Sequence, residues 1–405
     1  MKKQILLLLI CFPFILSAQF KSDNVKYKTV FIDDLCASLK NNPNYILLDV
    51  RSKGEYADTS TATNLNIGHL KNAINISVDE LGKRLGELKN ATNQPVFVYC
   101  SHSQRSRRAS EMLADSGFAK VYNINGGMTT LNLLRESGVP CTNLFYETSN
   151  QYDLISPVDL ISILKRGKNI FLLDIRKDSV FNGISSNDML NAYGRLNGAV
   201  NIPLAKLEGS LTDVPRNKKI ILIDDGGNES PKAAALLLKN GYQNISVAFN
   251  GMSAWNGSSQ YELPEKSKLW TSPVKYKLIA ADDFDEMAKQ AGSVILDVRP
   301  STEFNNKDTV SWRNRGYIKG AVNIPFSELT TRASELESYK GKPIFVYGFG
   351  TNPDTFKAAK LLAEKGFSNV SLLIGGVTNL RWRAANIKGK SQLDKWVVNV
   401  PQENL

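Results

Sequence analysis

Short stretches of nearly unbroken apolar residues alternate along this chain with segments whose apolar positions recur every three or four residues. In the first third the unbroken stretches are Tyr45–Val50 (YILLDV), Pro95–Cys100 (PVFVYC) and Ala119–Ile124 (AKVYNI). Strands apolar on both faces read this way, because a parallel sheet is covered by helices on each side. Ser77–Leu88 and Ser106–Gly117 carry helical spacing, and the second ends on Gly117, a residue suited to a left-handed C-cap. Alternating strands and helices predict an α/β fold, a small doubly wound layer with a parallel sheet. Its ligand site is expected beyond the carboxyl ends of the strands, where Cys100 stands.

The same order of landmarks occurs three times. LLDVRSKGEY (Leu47–Tyr56) is echoed by LLDIRKDSVF (Leu172–Phe181) and ILDVRPSTEF (Ile295–Phe304). GHLKNAINIS (Gly68–Ser77) is echoed by GRLNGAVNIP (Gly194–Pro203) and GYIKGAVNIP (Gly316–Pro325). A glycine turn closes each set: NGGMTTL from Asn125, NGMSAW from Asn250 and GGVTNL from Gly375. Asp49, Asp174 and Asp297 mark intervals of 125 and 123 residues, too long for a solenoid repeat and right for whole domains. Polar clusters at Glu147–Tyr152 and Pro264–Pro273 read as linkers, giving domains over 26–146, 152–263 and 274–395. Asp49 and Arg51 recur in copies of unlike chemistry, so they read as a structural clamp, and Glu55 reads the same way.

The first residues stand apart. Lys2 and Lys3 precede an apolar core from Ile5 to Leu16, and Ser17 and Ala18 follow, so 1–18 reads as a signal peptide. That core is short of the ~20 apolar residues needed to cross a bilayer, and no membrane span is expected elsewhere. The expected location is periplasmic or secreted. Net charge is +11, with basic residues spread along the whole 405-residue length. No stripe interleaves aromatic and basic residues, so a solvated basic surface is read and no nucleic acid partner. Beyond Cys11 there remain Cys36, Cys100 and Cys141, and in an oxidising compartment an odd number leaves a thiol unpaired. A Cys36–Cys141 bridge is open on sequence alone. Neither metal-ligand spacing nor a cofactor motif occurs.

Cys100 begins a polar strand-to-helix turn, Cys100-Ser101-His102-Ser103-Gln104-Arg105. Such a turn aims backbone N–H groups at its centre, the following helix adds the positive end of its dipole, and Arg105 with Arg107, Arg108 and His102 raises the potential. A nest of this kind binds anions and favours a thiolate. In the second copy Asp224 replaces the cysteine in an acidic loop, DDGGNES, expected to repel an anion. In the third, Gly348 replaces it.

The landmarks, the Cys100–Arg105 loop and NINGGMT together resemble the rhodanese (sulfurtransferase) superfamily. The resemblance implies three tandem rhodanese-like domains, with Cys100 catalytic as a persulfide carrier. Ser101, His102, Ser103, Gln104 and Arg105 would form the substrate-binding ring. It implies a small anionic sulfur donor such as thiosulfate and a thiol or cyanide acceptor. Four residues separate Cys100 from Arg105, one fewer than in related phosphatase loops, which suits a sulfur atom better than a phosphoryl group. Ser103 stands where the family often has glycine. If that position needs a positive φ, serine costs about 1 kcal/mol. The second and third copies, lacking the nucleophile, are left to shape the first domain's mouth or to bind another exported protein. A non-catalytic scaffold and a thiol oxidoreductase are the rival readings.

Overall fold

The computed structural model describes residues 26–139, 141–167, 169–290 and 292–401. The segment read as a signal peptide lies outside them. In the first copy five strands form one parallel sheet: β1 (Lys28–Phe31), β2 (Ile46–Asp49), β3 (Ile74–Asn75), β4 (Val96–Tyr99) and β5 (Val121–Asn125). Their spatial order is β1-β5-β4-β2-β3. The second and third copies repeat this order with strands at Asp153–Ile155, Ile170–Asp174, Val200–Asn201, Lys219–Ile223 and Ile245–Ala248, and at Lys277–Ile279, Val294–Asp297, Val322–Asn323, Ile344–Tyr347 and Val370–Leu373. The chain leaves β2 toward one edge and β4 toward the other. The crevice between their carboxyl ends is therefore the place for a ligand in such a sheet.

Strand composition explains the two-sided cover. On β4, Val96 and Val98 face one apolar cluster with Leu81, Ala109 and Leu113, while Phe97 and Tyr99 face another with Leu35, Leu39 and Met128. The helices responsible are α1 (Leu35–Asn41), α3 (Val78–Arg84), α4 (Gln104–Asp115) and α5 (Gly127–Gly138), with the one-turn α2 (Lys53–Tyr56) after β2. Each buried Val, Leu or Phe contributes roughly 1.5–3 kcal/mol. The clusters do not stop at the borders between copies. The one containing Phe97 and Tyr99 continues into Leu173, Leu222 and Val247 of the second copy, and a further one joins Leu172, Ile221 and Trp255 to Val346, Phe356 and Leu372 of the third.

The Asp-x-Arg clamp is the same in all three copies. Arg51 wraps the carboxylate of Asp49 at 2.7–3.1 Å and donates to the Gly68 carbonyl at 2.8 Å. Arg176 does so with Asp174 and Gly194, and Arg299 with Asp297 and Gly316. Cys36 and Cys141 are disulfide-bonded, which leaves Cys100 as the free cysteine among the described residues. No helix among the described residues is long and apolar enough to cross a membrane.

Candidate functional site

Cys100 follows β4 and is carried by it into the core. It is 1% exposed and packs among Val98, Ala109 and Leu113. Its Sγ–H donates to Ser106 Oγ at 3.6 Å, and that hydroxyl donates to the Ser103 carbonyl at 3.1 Å. The glycine turn closes over the loop from the next strand: Met128 N–H donates to the Cys100 carbonyl and Thr129 N–H to the Ser101 carbonyl, both at 3.0 Å. This contact requires glycine, because a Cβ on Gly127 would sit 2.1 Å from the Cys100 carbonyl oxygen.

Among the described residues, the backbone N–H groups of Ser101 through Ser106 donate to no protein acceptor. Ser103 adopts φ 79°, so the position does demand the left-handed region, and its side chain partly offsets the strain by accepting the Gly126 N–H. Ser101 is buried and its Oγ accepts from Arg105 at 2.9 Å. Gln104 is exposed at the start of α4. His102 Nε2 lies 3.0 Å from Thr129 Oγ1. Desolvation, and then the charge of Arg105, hold its imidazole below the ordinary range and toward the neutral form.

Arg105, read as part of the anion-binding ring, has both its terminal nitrogens engaged by protein acceptors. They donate to the two oxygens of Glu55 at 2.6 and 2.7 Å. Glu55 also caps α2 together with Ser52. Burial disfavours its charge, but the hydrogen bonds from Arg105 and Ser52 prevail and pull its carboxyl down to about 2. Glu55 is therefore part of the loop's support. The other copies give only a divided signal: the second has Val180 at the equivalent place and no arginine in its loop, while the third keeps Glu303 without a loop arginine and pairs it with Arg313. Arg108 lies on the surface with Asp79 at 2.6 Å, away from the loop's inner face. Arg107 reaches Asn125 and, in the third copy, Asn386, each at 3.2 Å.

The second copy shows what the loop holds. Asp224 matches Cys100 in place: its carbonyl accepts from Met252 N–H at 2.9 Å, and Gly227, three residues on, has φ 86°. Its carboxylate accepts the N–H groups of Gly227, Glu229 and Ser230 at 2.6, 2.7 and 2.8 Å. The acid does not stand at the rim repelling an anion, as its charge had suggested. It is the anion, seated in the nest. In the third copy Gly348 supplies no side chain, and Asn352 caps the following helix through Thr355.

The third copy also leans over the first loop. Trp382 Nε1 donates to the His102 carbonyl at 3.4 Å, and Asn125 donates to the Ala385 carbonyl at 2.7 Å. No group of three or more His, Cys, Asp or Glu among the described residues could hold a metal ion.

A family model described as a rhodanese-like domain matches residues 33–132, 156–258 and 280–382. The uncharacterized protein YqhL of Bacillus subtilis (strain 168) is 36% identical over 81 residues, 20% of this chain and 56% of that protein. A tRNA uridine(34) hydroxylase of Salmonella arizonae is 29% identical over 108 residues, 25% of this chain and 28% of that protein. The match thus spans about half of the first relative's length and about a quarter of the second's. Among solved structures, a thiosulfate sulfurtransferase from Pseudomonas aeruginosa aligns over 85% of this chain and 66% of its own, at 17% identity and a TM-score of 0.22. A rhodanese with anions from E. coli aligns over 21% of this chain and 89% of its own, at 28% identity and a TM-score of 0.18.

Proposed function

Because the chain belongs to the rhodanese-like domain family, whose unit it carries three times, we propose that it is a sulfurtransferase working through a persulfide on Cys100. The Cys100 thiolate attacks the outer sulfur of a thiosulfate-like donor. A new S–S bond forms to Cys100 as the donor's S–S bond breaks, and sulfite leaves with the electron pair. A thiol or cyanide acceptor then attacks the outer sulfur, and the pair returns to Cys100 as thiolate. This is covalent catalysis in two half-reactions.

One observation carries the reading: six consecutive backbone amides around a buried free thiol have no protein acceptor, and the matching amides of the second copy hold a carboxylate. Such a nest stabilises negative charge on the sulfur before and after transfer. Arg105, held by Glu55, adds positive potential and fixes the loop's exit into α4. The second and third copies, with Asp224 and Gly348 in the cysteine's place, serve as walls.

Export is part of the proposal. Lys2, Lys3 and the apolar core before Ser17 motivate it, and the Cys36–Cys141 disulfide fits an oxidising compartment. The test is intact-mass measurement of the full chain after thiosulfate treatment. The wild type should gain one sulfur and Cys100→Ser none. A wild type that gains nothing, or a variant that gains as much, overturns the persulfide reading.

A further inference from the structure

The three copies arrange their loops around one cavity of about 870 Å³. The closing glycine turn of each copy contributes a wall residue: Thr129, Ser253 and Thr378. His102 and Gln104 of the Cys100 loop line it as well, so this space lies against the loop that carries the thiol. Thiosulfate and cyanide are far smaller than such a cavity, whose size is that of sites for drug-sized organic molecules.

The lining is chemically uneven. The third copy supplies three aromatic rings: Trp312 and Phe349, edge to face at 5.4 Å, and Trp382, whose indole N–H rests on the His102 carbonyl. Trp312 is 51% exposed, with half its surface uncovered beside the cavity. Cations accompany the rings. Arg315 donates its Nε–H to the Trp312 carbonyl at 2.7 Å and makes no ion pair among the described residues. Arg107 meets only the neutral side chains of Asn125 and Asn386, and its buried Nε has no hydrogen-bond partner. Burial lowers both guanidinium groups from their ordinary values, the sign of cations short of counter-charge. The one acidic residue on the wall among the described residues, Glu262, is already taken by Arg383 at 2.5 Å. Flat apolar walls with uncompensated arginines match a ligand that is planar and negatively charged.

We propose that this cavity binds a planar organic anion, an aromatic ring bearing a carboxylate, held by the Trp312–Phe349 wall and by Arg315 and Arg107. Its place in the reaction rests on the sulfur-transfer reading above: it is the acceptor, presented to the Cys100 loop. A thiolate on that ring attacks the outer sulfur of the persulfide. The acceptor's new S–S bond forms as the bond to Cys100 breaks, and Cys100 leaves as thiolate, with no oxidant or reductant needed.

The binding site is tested apart from the chemistry, in the full-length Cys100→Ser chain, by calorimetric titration with naphthalene-2-carboxylate. Saturable one-to-one binding is expected. It should weaken about fivefold to tenfold in Arg315→Ala and in Trp312→Ala, and by a similar factor for the uncharged naphthalene-2-carboxamide. Absence of saturable binding, or binding indifferent to both substitutions, overturns the site. Since no persulfide can form in this background, that failure is distinct from a failure of sulfur uptake by the wild type. The acceptor role is read separately on the persulfidated wild type. 2-Sulfanylbenzoate should discharge it faster than thiophenol, and equal rates would overturn the assignment.

Discussion

Glu55 and Arg105 lie 50 residues apart in the chain and meet in a two-pronged ion pair, 2.6 and 2.7 Å long, that ties the turn after β2 to the loop after β4. Neither residue contacts Cys100 through a hydrogen bond, yet together they set where the loop ends and α4 begins. Glu55→Gln should lower stability by about 1–3 kcal/mol, because it leaves a half-buried guanidinium without its counter-charge. A double-mutant cycle with Arg105→Gln should return a coupling of about 1 kcal/mol or more. Strictly additive losses in denaturant titrations would mean that the pair does no structural work.

The same pair sets an acid limit. The Glu55 carboxyl falls from 4.5 to about 2 on folding, so the unfolded chain binds this proton more readily than the folded one. Its stabilising contribution is therefore complete above the unfolded value and fades as pH drops from there toward the folded one. Wild type and Glu55→Gln should differ in melting temperature at neutral pH and converge at the bottom of that window. A gap that stays constant on acidification would contradict the assignment.

Asp224 fills its loop with three charge-assisted bonds from backbone N–H groups. An asparagine keeps one acceptor oxygen and turns an NH₂ toward the remaining donors. Asp224→Asn should cost about 2 kcal/mol or more, read as a lowered denaturation midpoint, with persulfide formation at Cys100 unaffected. A neutral result would show the second nest to be indifferent to what occupies it.

Ser103 trades strain for a hydrogen bond. Ser103→Gly removes both the left-handed penalty and the bond from Gly126 N–H, and should be near neutral. Ser103→Ala keeps the penalty and loses the bond, and should destabilise by about 1 kcal/mol. Paired urea titrations separate the two, and alanine proving as stable as glycine would refute the compensation.

The Cys36–Cys141 bridge joins positions 105 residues apart and packs against a different apolar cluster from the one that holds Cys100. Replacing both by serine should lower stability by about 2–5 kcal/mol, since the unfolded chain regains the entropy the cross-link removed. Sulfur uptake at Cys100, measured by mass at moderate temperature, should persist. Its loss from a folded double variant would place the bridge in the function.

Much of the architecture could be read from the chain because it depends on local periodicity and on copying. The strands around Leu47, Phe97 and Val121, the Asp49–Arg51 clamp and the glycine turn at Gly127 each recur, so each could be recognised by comparison of the chain with itself. The left-handed demand at Ser103 was legible for the same reason, once set against Gly227. Glu55 was read as structural, as it proves to be, but its partner Arg105 was not named because it lies 50 residues away, where no helix or strand period points. Asp224 was read by its charge, whereas the direction of the amides around it decides its role. Nothing in the spacing placed Trp382 on the His102 carbonyl. Contacts between copies depend on which outer surfaces meet, and strand and helix periods do not encode that.

The apolar clusters that cross from one copy into the next have a consequence for how the molecule comes apart. A single copy cut from the chain would uncover the side of Leu222 and Val247, or of Ile221 and Trp255, to water. The chain should therefore melt as one calorimetric transition, without shedding its modules in sequence. The second and third copies, which lack a nucleophile, are then retained as cladding for the first, and selection can keep them without asking for a nucleophile of their own.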